Sequence, residues 1–379
     1  MSEYQYYEFL AVDRALDERQ LGELRALSTR ARITPTSFIN TYQWGDFRGQ
    51  PSKIMEAYFD AFLYFANWNT RELMIKLPAR LLSIETATRY CTGESASAWA
   101  AGEHVIVDLV SESEEGGYDE DGEGWLASIM PIRGDMAAGD LRALYLGWLL
   151  SVQAGGLADD EVEPPMPANL TRLTASLRSL VDFLCIDEDL LAAAAARSEE
   201  SEVDRLSDDD LARSIEDLPV AEKNLLLQRT IRGDGAHLRA ELMRRLRPES
   251  TGPTATGARR RTVAELLAAA DARRQERAQQ AAERIARERA HRERSAAIAR
   301  EKRLEALALR EDEAWQRVQR LIETRKPAEY DEAVRLLKDL KEVGSRQGRS
   351  EALDQRLLQL RALHSKKVSL IQRLDRLGV

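Results

Sequence analysis

From Ala258 to Lys326 the chain contains neither glycine nor proline, and its stretch ADARRQERAQQAAERIARERAHRERSAAIAREKR, residues 270–303, is mainly Ala, Arg, Glu and Gln. Those residues are strong helix formers, and Thr262 with Glu265 has the spacing of a capping box. One helix over 262–325 is therefore expected, about 90 Å long at about 1.5 Å per residue. Between Ala268 and Arg303 only Ile285 and Ile298 are large and apolar. A coiled-coil seam needs apolar residues at a and d in every heptad. This helix is thus expected to stand in solvent as a spacer, neither buried in a core nor zipped tightly to a second helix.

The arginines of that stretch do not share one face. At about 100° per residue, Arg273, Arg277, Arg284 and Lys302 fall near one azimuth, whereas Arg274, Arg292 and Arg303 lie about 100° away. Glutamates stand four residues from several of them, as in Glu283 with Arg287 and Glu288 with Arg292. Each such pair contributes about 0.2–0.5 kcal/mol to a solvated helix. A phosphate-tracking surface gathers its basic groups on one side, so a solvated helix is the favoured reading. The side chains marked as candidate contacts to a partner or to phosphate are Arg259, Arg260, Arg261, Arg274, Arg284 and Arg292.

Charge is divided along the chain. Residues 259–379 carry 30 Lys and Arg against 20 Asp and Glu, while residues 1–258 carry 25 against 44. An acidic body precedes a basic tail, and such asymmetry bears on partners, not on fold. Aromatic residues are divided too: of the Phe, Trp and Tyr residues only Phe183, Trp315 and Tyr330 come after position 150. Large rings supply much of the buried area in a core. The best-packed unit is therefore expected in the first part of the chain.

The expected fold is an α+β N-terminal domain, with a mixed or antiparallel sheet and helices, followed by an all-α region with a long charged helix and a C-terminal helical hairpin. Residues 6–14 and 32–44 read as strands around a helix at 17–30, a βαβ start in which Pro35 marks an edge or bulge. Strands are expected at 61–68 and 72–78, where Leu73, Ile75 and Leu77 alternate with Met74 and Lys76. Residues 104–112 and 125–132 are expected to form a further antiparallel pair about an acidic loop. Leu141, Leu144, Tyr145, Trp148, Leu149 and Val152 recur at helical spacing and should cover a sheet face.

The α+β domain is expected to span 1–155 and to fold alone. A Gly/Pro linker at 156–168 leads to a small acidic helical domain at 169–246, where Ser207 and Asp210 fit a capping box. A flexible linker at 247–261 precedes the long helix, and a hairpin at 326–379 follows it, with Gly344 and Gly348 breaking its helices. No repeat of about 34 residues is visible.

Chemical motifs are sparse. Asp119, Asp121, Glu123 and Gly124 match the start of a calcium loop, but Met130 occupies the twelfth position, where a bidentate carboxylate belongs. His104, His237, His291 and His364 are scattered, without the spacing of a zinc site. Cys91 and Cys185 form neither a metal spacing nor a disulfide framework, and a reducing cytoplasm is the expected setting. The N-terminal residues have no secretory pattern, and the run ALYLGWLLSVQA is shorter than the about 20 residues that span a bilayer. No Gly-rich phosphate loop or nucleophile elbow is present. Aromatic side chains of the first and third strands are read as core, since an acidic domain repels phosphate.

These features favour a non-enzymatic scaffold or accessory subunit that binds a protein partner through its helical arm and C-terminal hairpin, with no cofactor and no membrane. A nucleic-acid-transaction factor that uses the Arg-rich helix on phosphates is the alternative.

Overall fold

The computed structural model describes residues 3–45, 47–112, 121–200, 208–231, 238, 241–242 and 260–377. The chain divides into two units, 1–276 and 277–379.

In the first unit the strands are β1 (Gln5–Leu10), β2 (Arg32–Thr34), β3 (Ser37–Tyr42), β4 (Ala61–Ala66), β5 (Thr70–Pro78), β6 (Ala96–Ala101) and β7 (His104–Glu112). They form one seven-stranded sheet in the order β2-β3-β1-β4-β5-β7-β6, and every neighbouring pair is antiparallel. Three helices interrupt the strands: α1 (Glu18–Leu27), α2 (Pro51–Ala57) and α3 (Ile84–Thr88). Asp17 caps α1 with a complete capping box to Gln20.

The α+β reading holds, but the βαβ start does not, because β1 meets β3 antiparallel with Gln5 opposite Tyr42. The run 32–44 is two strands. Pro35 and Thr36 form the turn between them, where a missing N–H costs no ladder bond.

The alternation in β5 serves two cores. Leu73, Ile75 and Leu77 join one core with Leu63, Val107 and Trp148. Met74 joins the other with Phe9, Phe38 and Phe62, among which the rings of Phe9 and Phe62 lie 4.3 Å apart. Lys76 is buried on that second face, where its ammonium donates to the Met55 carbonyl at 2.9 Å and faces Asp60 at 3.5 Å. A charge so placed is tolerated only because its hydrogen bonds are met.

Residues 125–132, expected as a strand, are helical: α4 (Trp125–Ile129) and α5 (Pro131–Ala137). Leu126, Ile129, Ile132 and Met136 recur every three or four residues and all are buried. A short apolar run does not by itself separate strand from helix, and Pro131 at the first position of α5 favours the helix. Next, α6 (Arg142–Gln153) covers the sheet as expected. At Gly147 it comes so close that an added Cβ would lie 2.6 Å from Leu109 Cδ2.

Helices α7 (Ala175–Phe183) and α8 (Glu188–Ala195) belong to the same core. Leu177, Leu180, Phe183 and Leu190 pack with the sheet residues and α6. Arg71 of β5 is 3% exposed and donates to the Asp182 and Phe183 carbonyls at 3.2 and 2.8 Å. Residues 175–195, which the sequence sets apart in a domain of their own, thus complete the sheet's core. Two further helices are α9 (Asp208–Asp217) and α10 (Val220–Ile231). The Ser207 cap and most of the linker at 247–261 lie outside the described residues.

The long helix, α11 (Val263–Ala308), opens on the expected capping box: the Thr262 N–H donates to Glu265 at 3.1 Å and the Glu265 N–H to the Thr262 hydroxyl at 3.3 Å. It ends sooner than expected. A new helix, α12, runs Glu311–Glu323 after Arg310 leaves helical geometry at φ −130°, ψ 36°. No breaker residue causes this; tertiary packing overrides local propensity, since Trp315, Val318 and Ile322 bury in the second unit's core.

That core is completed by α13 (Pro327–Arg346), α14 (Ser350–Leu363) and α15 (Val368–Leu377). Tyr330, Val334, Leu337 and Leu340 meet Leu353, Leu357, Leu360, Leu370 and Leu374. The hairpin is thus α13 and α14, with α15 packed on it. Gly344 does not break α13, because the helix needs its bare backbone against Leu353, 1.9 Å from where a Cβ would stand. Gly348, at φ +69°, ends the turn instead, a conformation that glycine adopts without strain.

Candidate interaction site

The marked arginines part company in the structure. Arg259 lies outside the described residues, and Arg260 is exposed, its guanidinium 3.5 Å from the Glu163 carbonyl. Arg261 is 5% exposed. It is drawn inward by a short backbone pairing in which the Glu163 N–H donates to the Arg261 carbonyl at 2.9 Å and the Val263 N–H to the Glu161 carbonyl at 3.0 Å. Its guanidinium grips Glu163 with two bonds of 2.9 and 2.8 Å and donates to the Ala193 carbonyl at 2.8 Å. The Tyr145 hydroxyl donates to the same carboxylate. Burial, and then the Glu163 charge, push the Tyr145 phenol well above its ordinary value. Arg261 therefore serves as a structural tie, directed away from the surface.

Arg274 is half exposed and shared between Asp187 at 3.0 Å and Asp271 at 2.6 Å. Both aspartates draw on its charge, which leaves it little for a ligand. Arg284 and Arg292 stand exposed and make no ion pair among the described residues. Of the four-apart pairs read from the sequence, Glu283 with Arg287 is formed, at 3.1 Å.

From Asp271 to Arg303 every residue is exposed except Ala281, which is partly so. Ile285 and Ile298 are 49% and 57% exposed. The end of this helix is anchored on α13 by Arg303 to Asp339 at 2.5 Å and Arg300 to Glu342 at 3.8 Å, and by Leu304, which is buried. The α14 and α15 helices carry Leu358, Leu363 and Val368 at 65% exposure or more. Sequence analysis assigned no role to these exposed side chains.

Burial, and then the Asp108 charge, push the Cys91 thiol up to about 12, so it is a thiol and not a nucleophilic thiolate at neutral pH. Asp119 lies outside the described residues, and among those described no three His, Cys, Asp or Glu side chains gather as metal ligands. Of the aromatics read as core on these strands, Tyr6, Tyr7, Phe62 and Phe65 are buried, while Tyr4 and Tyr64 are partly exposed and pack against the two cores. Trp44 is 70% exposed, with Arg30 stacked 5.4 Å from its ring, whereas Phe47 is buried. Two carboxyls escaped the sequence reading. Glu72 on β5 is pushed up to about 8 by burial and then by Asp108, and burial pushes Asp108 on β7 up to about 6. Alternation alone gives no sign that a glutamate and an aspartate on adjacent strands share one half-covered face.

Among the described residues no helix is long and apolar enough to cross a membrane. No family model, curated protein or solved structure matches this chain.

Proposed function

We propose that the protein is a non-enzymatic scaffold or accessory subunit, acting in the cytoplasm, that holds a protein partner through its helical arm and C-terminal helices. The observation that carries this reading is the run from Asp271 to Arg303, a helix exposed on all sides, leading into a bundle with its own apolar core. An uncovered helix of that length is supported by local propensity and not by burial. Its span suits reach and display better than chemistry. The bundle's exposed Leu358, Leu363 and Val368 give a partner apolar anchors, the kind of side chain that becomes buried on association.

The exposed Arg284 and Arg292 keep the nucleic-acid alternative as the competing outcome. Titration of labelled duplex and single-stranded oligonucleotides onto the full chain at low and moderate salt separates the two. The scaffold reading expects weak, sequence-independent binding that disappears by physiological salt. Tight binding whose log affinity falls linearly with log salt, with a slope of about six or more phosphate contacts, would establish the phosphate reading instead.

A further inference from the structure

An open cleft of about 500 Å³ lies between the end of α8 and the first turns of α11. That volume is in the usual range for small-ligand sites, about 300–1,000 Å³. Its inner wall is Arg261, whose charge is already met by Glu163 at 2.8 Å. The one carboxylate of the lining, Glu265, accepts from the Thr262 N–H as half of the capping box.

Arg197 and Arg273 differ from both. They line the same cleft from opposite elements, they are exposed, and neither is ion-paired among the described residues. The rest of the lining, apart from Arg261 and Glu265, is small: Ala193, Ala196 and Ala269. The start of α11 is not the recognition element. Its first amides are taken, Val263 by the Glu161 carbonyl at 3.0 Å, Ala264 by the Asp159 carbonyl at 3.0 Å and Glu265 by the Thr262 hydroxyl at 3.3 Å. Diffuse attraction is not the cause either, since residues 1–258 carry far more acid than base. What remains is a pair of uncommitted guanidinium forks, a geometry that matches phosphate oxygens two at a time.

We propose that this cleft binds a small phosphate-bearing molecule, with Arg197 and Arg273 on the phosphate oxygens and the alanine floor beneath the rest. The test is calorimetric titration of pyrophosphate into the full chain at fixed ionic strength, repeated with Arg197→Gln, Arg273→Gln and Arg178→Gln. Arg178 is also an exposed arginine, outside the cleft. Saturable binding at one site is expected, weakened about tenfold or more by each cleft substitution and unchanged by Arg178→Gln, with the ligand-free melting temperature the same in all four proteins. The proposal is overturned by absence of saturable binding up to about 10 mM, well above the millimolar range of a weak site. Equal weakening by all three substitutions, or by none, overturns it as well.

Discussion

Arg261 and Glu163, 98 residues apart in the chain, face each other as a two-pronged ion pair of 2.9 and 2.8 Å, with both side chains almost wholly buried. Removing one partner of such a pair strands a charge, at a typical cost of about 3–5 kcal/mol, whereas replacing both by apolar groups is often close to neutral. Arg261→Met is therefore expected to lower the denaturation midpoint sharply. Adding Glu163→Leu should recover a large part of the loss, though the Tyr145 hydroxyl then lacks its acceptor. A single substitution costing under about 1 kcal/mol would show that the pair is solvated and not a tie.

A fragment ending at residue 155 is expected to unfold without cooperativity, while residues 1–276 unfold in one transition. Arg71 leaves its guanidinium on the Asp182 and Phe183 carbonyls, and Phe183, Leu180 and Leu190 fill the core beneath α6. Without them the fragment loses those two acceptors and leaves apolar core surface uncovered, which removes burial that the fold depends on. A sharp thermal transition of the short fragment would contradict this.

The part of the fold legible in the sequence was the part written in strong periodicity. The strict alternation of Leu73, Ile75 and Leu77 and the helical stripe of Leu144, Trp148 and Val152 each gave an element and its face. Elements decided at a distance were not legible. Residues 156–163 look like linker, because Gly155, Gly156 and the prolines after Glu163 are local breakers. Nothing local shows that Glu163 will meet Arg261. The end of α11 at Ala308 is likewise set by where Trp315 must bury, and Leu126 with Ile129 fits either strand or helix until the rest of the core is in place. Of the candidate site, the exposure of Arg284 and Arg292 was legible from the scarcity of large apolar residues around them, while the inward turn of Arg261 was not.

Ile285→Ala and Ile298→Ala should each cost about 1 kcal/mol or less, whereas Leu337→Ala, at a site with no exposure, should cost about 2–5 kcal/mol. Chemical denaturation of the full chain measures all three. Loss comparable to that of Leu337→Ala at either isoleucine would mean that the helix is covered.

Glu72 and Asp108 make stability fall as pH rises. Asp108 lies opposite Met74, so the two carboxyls are diagonal neighbours on β5 and β7. Their folded values, about 8 and about 6, are raised by burial and, for Glu72, also by Asp108. A carboxyl whose folded value is raised contributes fully below its unfolded value of about 4, and that contribution is lost as pH climbs through the folded value. Glu72→Gln should therefore stabilise the protein by about 3–5 kcal/mol near pH 9 and by little near pH 4.5. An equal change in melting temperature at both ends would argue that the carboxyl is solvated.

The scaffold assignment is tested most directly by cross-linking capture from the native host with the full chain, followed by mass spectrometry, set beside a variant carrying Leu358→Glu, Leu363→Glu and Val368→Glu. These side chains are exposed, so the variant should keep the wild-type melting curve. The expected result is a protein cross-linked within residues 277–379 of the wild type and lost from the variant. Capture unchanged by the variant with cross-links confined to residues 1–276, or recovery of nucleic acid alone, would contradict a partner held by the helical arm and C-terminal helices.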